Sequence, residues 1–239
     1  MESKRAVLLD KILMNNHIMK ASKTIAMLVL LVSFMACKKD NSALEETKEP
    51  FDIRQYVLLR TSTDNSNWII DVSLTSFDAQ SKSIVFNEGG RIPDNGFTYS
   101  YADGVLKLLY DGRVNTELKI ENNTIASKTT NGITASYQLI KIPTENQLNG
   151  NTYNGAWKSK GSLISYVASV KFTDTHFSEA SINLPVPNKP YELFKNIAAY
   201  HYDATNKIKT LWIFTNGKLE GYRNNYGGEH SRSTGTFSK

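Results

Sequence analysis

Residues 97–120 read FTYSYADGVLKLLYDGRVNTELKI, and this stretch decides the fold. Apolar and polar residues largely alternate along it, and the alternating segments are separated by Asp103-Gly104 and Asp111-Gly112. An Asp-Gly pair between alternating segments is a strong hairpin signal, because both residues tolerate the positive φ of a type I′ turn. The stretch therefore predicts three antiparallel strands joined by two tight turns.

The same pattern extends to both sides of this stretch. Downstream, Asn122-Asn123 precedes TIASKT, and Asn131-Gly132 precedes ITASYQLIKI. Upstream lie three more candidate strands, YVLLRTST, NWIIDVSLTS and KSIVFNE. Turn signals that recur at about 8–12 residues are typical of an antiparallel meander that closes into a barrel or a sandwich. We therefore expect an all-β fold, with roughly eight strands in residues 51–142.

A boundary is expected near residues 143–149, where Pro143 and the polar segment TENQLNGN interrupt the pattern. It divides the chain into an N-terminal β domain at 51–142 and a C-terminal β domain at 150–239. The second half contains ISYVASVKF and a hairpin, KIKTLWIFTN and KLEGYRNNY, with its turn at Asn216-Gly217. The prolines of LPVPNKP exclude that segment from a central strand. The segment YELFKNI could form either a strand or one helical turn.

The N-terminus has the pattern of an export signal. The apolar run TIAMLVLLVSFMA, residues 24–36, follows Lys20 and Lys23. A basic segment before an apolar run that ends in a small residue is typical of a secretory signal peptide. The run is also shorter than the roughly 20 apolar residues that span a bilayer. We expect a signal peptide at 1–36, with Met19 as an alternative start, because the segment from Met19 has ordinary signal-peptide proportions.

The end of the apolar run resembles the lipobox of bacterial lipoproteins. The residues Phe34-Met35-Ala36-Cys37 place a small residue before Cys37, the one cysteine in the sequence. The resemblance implies that Cys37 becomes the mature N-terminus and carries a diacylglyceryl group and further acyl chains such as palmitate. Stable membrane anchoring needs more than one acyl chain. The polar residues 37–50 then form a flexible tether.

The residue after Cys37 bears on the membrane to which the protein is anchored. In well-studied Gram-negative lipoproteins, Asp at that position commonly signals retention in the inner membrane, and here the residue is Lys38. The resemblance therefore implies a lipid anchor in the cell outer membrane. Both a periplasmic and a surface-exposed orientation remain open.

Parts of both halves resemble lipocalin-like β domains of bacterial lipoproteins. The segments that carry the resemblance are residues 97–142, the hairpin LWIFTNGKLEGY and the terminal STGTFSK. The resemblance implies an antiparallel meander that forms one or two small barrels or sandwiches. It carries over no catalytic residue, because such domains share none. Many of them begin with Gly-x-Trp, which here is approximated by Gly155-Ala156-Trp157 in the second half.

Composition and motif spacing argue against several functions. The net charge is +5, but residues 1–36 hold five basic and two acidic residues, so the mature chain carries only +2. With no cluster of Lys and Arg, nucleic acid is not an expected partner. Gly227-Gly228 lacks the Lys-Ser/Thr of a phosphate-binding loop. The spacing of His176, His201 and His230 does not match a zinc site, so we expect neither a metal nor another cofactor.

The aromatic residues of the second half provide the candidate ligand contacts. Exposed aromatic rings beside amide and guanidinium groups suit sugar faces, and loops are where function concentrates. The candidate contacts are Trp212, Tyr222, Arg223, Asn225 and Tyr226. The alternative is that these rings fill a β core.

Three functional classes remain open on the sequence. The first is a non-catalytic binding or interaction module for a small apolar ligand or a glycan. The second is a glycan-processing or other hydrolase accessory subunit, for which His201 near Asp203 and the pair Glu229-His230 could supply a base and its orienting partner. The third is a structural envelope protein or an inhibitor. Without a recognisable nucleophile we expect no catalytic residues and no enzyme activity.

The lipid anchor gives a direct prediction. Replacing Cys37 with Ser removes the thiol that accepts the diacylglyceryl group, so the variant is expected to take up no fatty acid. Metabolic labelling of expressing cells with a radioactive or clickable palmitate measures this, with the wild-type protein as the control. Label retained by the Cys37→Ser protein would show that the lipid is attached elsewhere.

Overall fold

The structure, a computed structural model, describes residues 51–92, 96–122, 124–125, 128–130, 133–227 and 231–239. The expected signal peptide, Cys37, the tether at 37–50 and the turn at Asn131-Gly132 lie outside the described residues. Within the described ranges, regular structure consists of β-strands and one turn of 3₁₀ helix at Ile53–Gln55. Every strand pair there is antiparallel. The predicted all-β class is therefore confirmed.

The first half contains two antiparallel sheets. Its strands are β1 Tyr56–Thr63, β2 Ile69–Phe77, β3 Ser83–Asn87, β4 Gly90–Arg91, β5 Phe97–Ala102, β6 Val105–Tyr110, β7 Arg113–Glu121, β8 Thr124–Ile125, β9 Lys128–Thr130 and β10 Ile133–Lys141. One sheet has the order β4-β3-β2-β1-β10-β9, and the other has the order β5-β6-β7-β8. An isolated bridge between Lys82 and Thr98 joins the sheets beside β3 and β5. On the other side, β8 contacts β10.

The turns predicted from Asp-Gly and Asn-Gly have the expected backbone. Asp103 and Gly104 have φ of 51° and 76°, and Asp111 and Gly112 have 48° and 73°. In the second half, Asn216 and Gly217 have 51° and 75°. Two successive residues with positive φ are the mark of a type I′ turn, whose twist matches that of the flanking strands. These local signals fix the register of the hairpins that contain them.

The second half is one nine-stranded sheet. Its strands are β11 Thr152–Ser159, β12 Ser165–Phe172, β13 His176–Ala180, β14 Lys189–Pro190, β15 Glu192–Phe194, β16 Ala198–Asp203, β17 Ile208–Thr215, β18 Lys218–Asn225 and β19 Ser231–Ser238. The sheet order is β14-β13-β12-β11-β19-β18-β17-β16-β15. Its two outermost strands, β14 and β15, are separated in sequence by Tyr191 alone, so the sheet curls into a nearly closed barrel. Nδ1 of His201 on β16 lies 2.7 Å from the carbonyl oxygen of Pro190 on β14, across the remaining gap.

Two segments of the second half, LPVPNKP and YELFKNI, form short strands at the edges of the sheet. The segment LPVPNKP contributes only the two-residue edge strand β14, as its prolines predicted. The alternative of a helical turn in YELFKNI is wrong, because the segment forms β15 and a turn in which Lys195 and Asn196 have positive φ.

Among the described residues, no helix has the length and apolar character needed to cross a membrane.

A cluster of apolar side chains packs inside the barrel. We call this cluster the barrel core; it consists of Leu148, Tyr153, Trp157, Ala168, Val170, Phe172, Phe177, Ala199, Trp212, Leu219 and Phe237. Its rings meet mostly edge to face, with Trp212 centred 4.4 Å from Phe177 and 5.7 Å from Phe172. Such edge-to-face arrangements are the favoured geometry for aromatic pairs.

A second cluster joins the two halves. We call it the shared core; it consists of Val57, Leu59, Val72, Leu74 and Phe86 from the first half and Phe194, Ile197, Ala198, Leu211, Ile213 and Tyr222 from the second. Phe86 stacks on Phe194 at 4.9 Å between ring centroids. Residues 52–239 accordingly form one compact unit, although the strands of each half pair only with each other in the described ranges. The division into two β domains at 51–142 and 150–239 stays a prediction.

Polar contacts flank the shared core. Asn224, which is buried on β18, donates a hydrogen bond to the Glu88 carboxylate in the turn after β3. Burial raises the pKa of Glu88 above its ordinary value. Nε2 of Gln138 donates to Oγ1 of Thr215 at 3.1 Å. Because each bond joins one half to the other, these contacts fix how the first sheet lies on the barrel.

Two glycines allow the barrel to close around Trp157. A β-carbon at Gly155 would collide with the carbonyl oxygen of Thr236 on the neighbouring strand. A β-carbon at Gly221 would lie 2.5 Å from Cη2 of Trp157. Glycine is therefore required at Gly155 because two strands approach closely there. At Gly221 the missing side chain leaves the space that the Trp157 ring occupies.

The second glycine yields a stability prediction. Gly221→Ala is expected to lower the free energy of unfolding by about 1–3 kcal/mol, because the added methyl group overpacks the space beside the Trp157 ring. Urea denaturation followed by circular dichroism measures the loss. The matched test repeats the substitution in a Trp157→Leu background, where the ring is absent and the loss due to Gly221→Ala should shrink. An equal loss in both backgrounds would show that Trp157 is not the cause.

Candidate functional site

The first half contains a cavity of about 300 Å³ between its two sheets. One wall is formed by β1, β2, β3 and β10, and the other by β5, β6 and β7. The volume lies at the lower end of the range of about 300–1,000 Å³ that is typical of ligand pockets. A second space, of about 390 Å³, opens in the barrel of the second half, and Trp157, Glu179 and Arg223 are among the residues that line it.

Strand register arranges the first wall in rows. Tyr137, Arg60, Ser73 and Asn87 lie side by side on β10, β1, β2 and β3, because Arg60 pairs with both Tyr137 and Ser73, and Ser73 pairs with Asn87. All four line the cavity. The next row toward the interior contains Leu58, Thr75 and Val85 in the same way. The wall is therefore polar in one row and mixed in the next.

An ion pair lies at the opening of the cavity. Nη1 of Arg60 donates to Oδ2 of Asp71 at 2.5 Å. The two side chains retain 40% and 43% of their exposure, whereas Leu58 in the next row is 1% exposed. The pair is thus reachable from solvent, and the cavity deepens behind it.

The opposite wall is shaped by a β-bulge. Leu108 pairs with Thr116, but the next residue, Leu109, pairs with Val114, so Asn115 is an extra residue on β7. Leu108, Leu109, Asn115 and Thr116 all line the cavity, which a regular strand with alternating faces would not allow. Bulges are frequent at barrel rims and beside functional sites, where they redirect side chains.

A shallow apolar groove adjoins the cavity. It has a volume of about 410 Å³ and is lined by Phe97, Tyr110, Arg113, Val114 and Asn115. Tyr110 and Val114, on neighbouring strands, are 43% and 53% exposed. The rings of Phe97 and Tyr110 lie 5.0 Å apart. Phe97 and Asn115 line both spaces, so the groove lies beside the cavity.

Two of the predicted contact residues are buried. Trp212 is 0% exposed in the barrel core, and Tyr222 is 6% exposed in the shared core. Burial raises the pKa of Tyr222 well above its ordinary value. In this conformation neither ring is available to a ligand from solvent. Their surroundings match the alternative that these rings fill a β core.

The other three predicted residues lie at different places. Arg223 pairs with Glu179 at 2.5 Å, and its guanidinium carbon lies 4.1 Å from the ring centroid of Trp157. Glu179 also accepts a hydrogen bond from Nε1 of Trp157 at 2.8 Å. Arg223 thus caps the Trp157 ring at one end of the barrel.

Asn225 is the last residue of β18, and Tyr226 follows it. Oδ1 of Asn225 accepts a hydrogen bond from the backbone N–H of Gly227 at 2.8 Å. Tyr226 is 41% exposed, and Nζ of Lys209 lies 5.3 Å from its ring centroid. The five residues are therefore not gathered in one site, and ligand contact by Arg223, which lines the space in the barrel, by Asn225 and by Tyr226 stays a prediction.

The histidines do not form a metal site in the described part of the chain. No group of three His, Cys, Asp or Glu residues there could hold a metal ion. Burial lowers the pKa of His201, which packs against Phe177 at 5.0 Å. The pair Glu229-His230 lies outside the described residues. Oδ1 and Oδ2 of Asp203 accept hydrogen bonds from the turn at Thr205 and Asn206.

Sequence reasoning missed the cavity residues. Arg60, Ser73 and Asn87 alternate with apolar residues, and a polar face of a strand normally faces solvent. One available signal was that Leu58 shares the face of Arg60, while Val57 and Leu59 occupy the other face, so both faces of β1 carry apolar residues. A strand that is apolar on both faces indicates burial on both.

No family model and no curated protein matches the sequence. A similar solved structure is that of a Bacteroides fragilis protein provisionally named as an outer membrane protein, with a TM-score of 0.24 and 9% sequence identity over 77% of this chain and 96% of that one. At this TM-score the similarity assigns neither a fold nor a function.

Proposed function

We propose that this protein is a non-catalytic binding protein of the bacterial cell envelope, and that it holds a small ligand in the cavity between the sheets of its first half. The observation that carries the proposal is the cavity itself, with the half-exposed Arg60–Asp71 pair at its opening. Small-molecule sites are usually concave, with polar groups that converge on the ligand and fix its orientation.

The composition of the cavity wall supports binding over catalysis. Among the described residues that line it, the ionisable groups are Arg60, Asp71 and the phenol of Tyr137, and no histidine, lysine or cysteine takes part. Covalent hydrolysis uses a nucleophile beside a base, and most glycoside hydrolysis uses two carboxylates. Asp71 already accepts a hydrogen bond from Arg60, which suits it to orienting a ligand.

Placement in the cell envelope is supported by the N-terminal sequence. The apolar run at 24–36, the lipobox-like residues before Cys37 and the presence of Lys38 fit a lipid anchor in the outer membrane. An anchored binding protein keeps its captured ligand at the membrane surface, where a transporter or an enzyme can receive it.

The binding site is tested by filling it. Full-length protein in phospholipid nanodiscs is screened by thermal shift against sugars, amino acids, nucleosides and fatty acids. We expect at least one of these classes to raise the Tm of the wild type, because a ligand that binds only the folded state stabilises it. Ser73→Phe, which adds a ring inside the cavity, should abolish the shift. Thr116→Phe fills it from the opposite wall and should have the same effect.

The matched control is Ser100→Phe, which adds the same ring at an exposed position of β5 and should bind as the wild type does. The Tm of each variant without ligand shows whether it is folded. Normal binding by both cavity-filling variants, or no shift of the wild type by any class, would contradict the proposal.

A further inference from the structure

We infer that the ligand is a carbohydrate of at least two sugar units, one bound in the cavity and the next stacked on Tyr110 in the adjoining groove. The inference rests on the proposed function, since it names the class of ligand for the same site. It is carried by the chemistry of the cavity wall, the geometry of the ion pair and the exposed rings of the groove.

The cavity wall discriminates against apolar ligands. Most of its lining residues carry hydroxyl, amide, carboxylate or guanidinium groups, and these include Ser73, Thr75, Ser83, Asn87, Thr116 and Tyr137. A fatty acyl chain in this space would strip these groups of water without replacing the lost hydrogen bonds, which disfavours its binding. A polyhydroxylated ligand both donates and accepts, so it can satisfy hydroxyls and amides alike.

The Arg60–Asp71 pair can bind neighbouring hydroxyl groups. A single hydrogen bond, from Nη1 to Oδ2, joins the two side chains in the described structure. A guanidinium has five N–H donors and a carboxylate has two accepting oxygens, so both groups retain capacity toward the cavity. Adjacent sugar hydroxyls can accept from Arg60 and donate to Asp71. Because the charges of Arg60 and Asp71 cancel, a neutral sugar that binds beside them leaves no uncompensated charge in the site.

The groove adds an aromatic platform beside this polar cavity. The ring of Tyr110 is exposed on β6 and lies next to that of Phe97. Aromatic rings present an apolar face, onto which the C–H groups of a sugar ring can stack. Asn115, the extra residue of the bulge, lines both the groove and the cavity, and its amide can bond the hydroxyls of either unit.

The test is a glycan array of defined di- to hexasaccharides, probed with the full-length protein in nanodiscs. Isothermal titration calorimetry then measures the Kd of three compounds. They are the best-binding oligosaccharide, the monosaccharide that forms the end of it bound in the cavity, and laurate, which serves as the apolar probe. We expect the oligosaccharide to bind more tightly than the monosaccharide, and laurate not to bind. Tyr110→Ala should weaken the binding of the oligosaccharide by about tenfold and leave the Kd of the monosaccharide unchanged, because only the groove is altered. Tyr110→Phe should restore the binding.

Tyr202→Ala is the matched control, because Tyr202 is similarly exposed but lies on β16 of the second half. Asp71→Asn should weaken the binding of both the oligosaccharide and the monosaccharide, because the amide replaces an accepting carboxylate oxygen with an N–H donor. Binding of laurate but of no saccharide would overturn this inference and leave the proposed cavity site standing. Saccharide binding that Ser73→Phe and Thr116→Phe do not affect would instead show that the cavity is not the site, and would overturn the proposed function too.

Discussion

The rest of the structure depends on the packing of the first-half sheet against the outside of the barrel. Phe86 stacks on Phe194, and Val57, Leu59, Val72 and Leu74 pack beside the pair. Fully burying an apolar side chain of this size contributes about 1.5–3 kcal/mol. Strand β17 is covered on both sides, because Leu211 and Ile213 enter the shared core while Trp212 enters the barrel core. The barrel therefore covers the apolar face of the first sheet, the face that points away from β5–β7.

This packing also determines which residues line the cavity. Side chains on a strand alternate between its faces, so once Val57 and Leu59 are committed to the shared core, Leu58 and Arg60 must point the other way. A slip of one residue would place the guanidinium of Arg60 in the shared core. The same reasoning applies on β2, where Val72 and Leu74 alternate with Ser73 and Thr75. The polar wall of the proposed site is thus held in place by the apolar contacts behind it.

The sequence predicted the local features well and the long-range ones poorly, for a physical reason. The turns at Asp103-Gly104 and Asp111-Gly112 depend on two adjacent residues, and the hairpins around them follow directly. The pairing of β11 with β19 joins residues far apart in the chain, and the need for glycine at Gly155 becomes visible only when Thr236 is beside it. The burial of Trp212 could have been inferred from the continuous apolar run LWIF, which is typical of a strand covered on both faces. Asn115 could not have been identified, because its role depends on a bulge that no local signal marks.

The shared core is tested most directly by hydrogen exchange measured by mass spectrometry across a urea series, on the wild type and on Phe86→Ala. Truncating a buried Phe typically lowers the free energy of unfolding by about 3–5 kcal/mol. If the two halves are stabilised by one core, peptides from β1–β3 and from β16–β18 will lose protection at the same urea concentration, and Phe86→Ala will lower that concentration equally for both. A variant in which peptides of β1–β3 lose protection earlier while those of β16–β18 keep their wild-type midpoint would contradict this account.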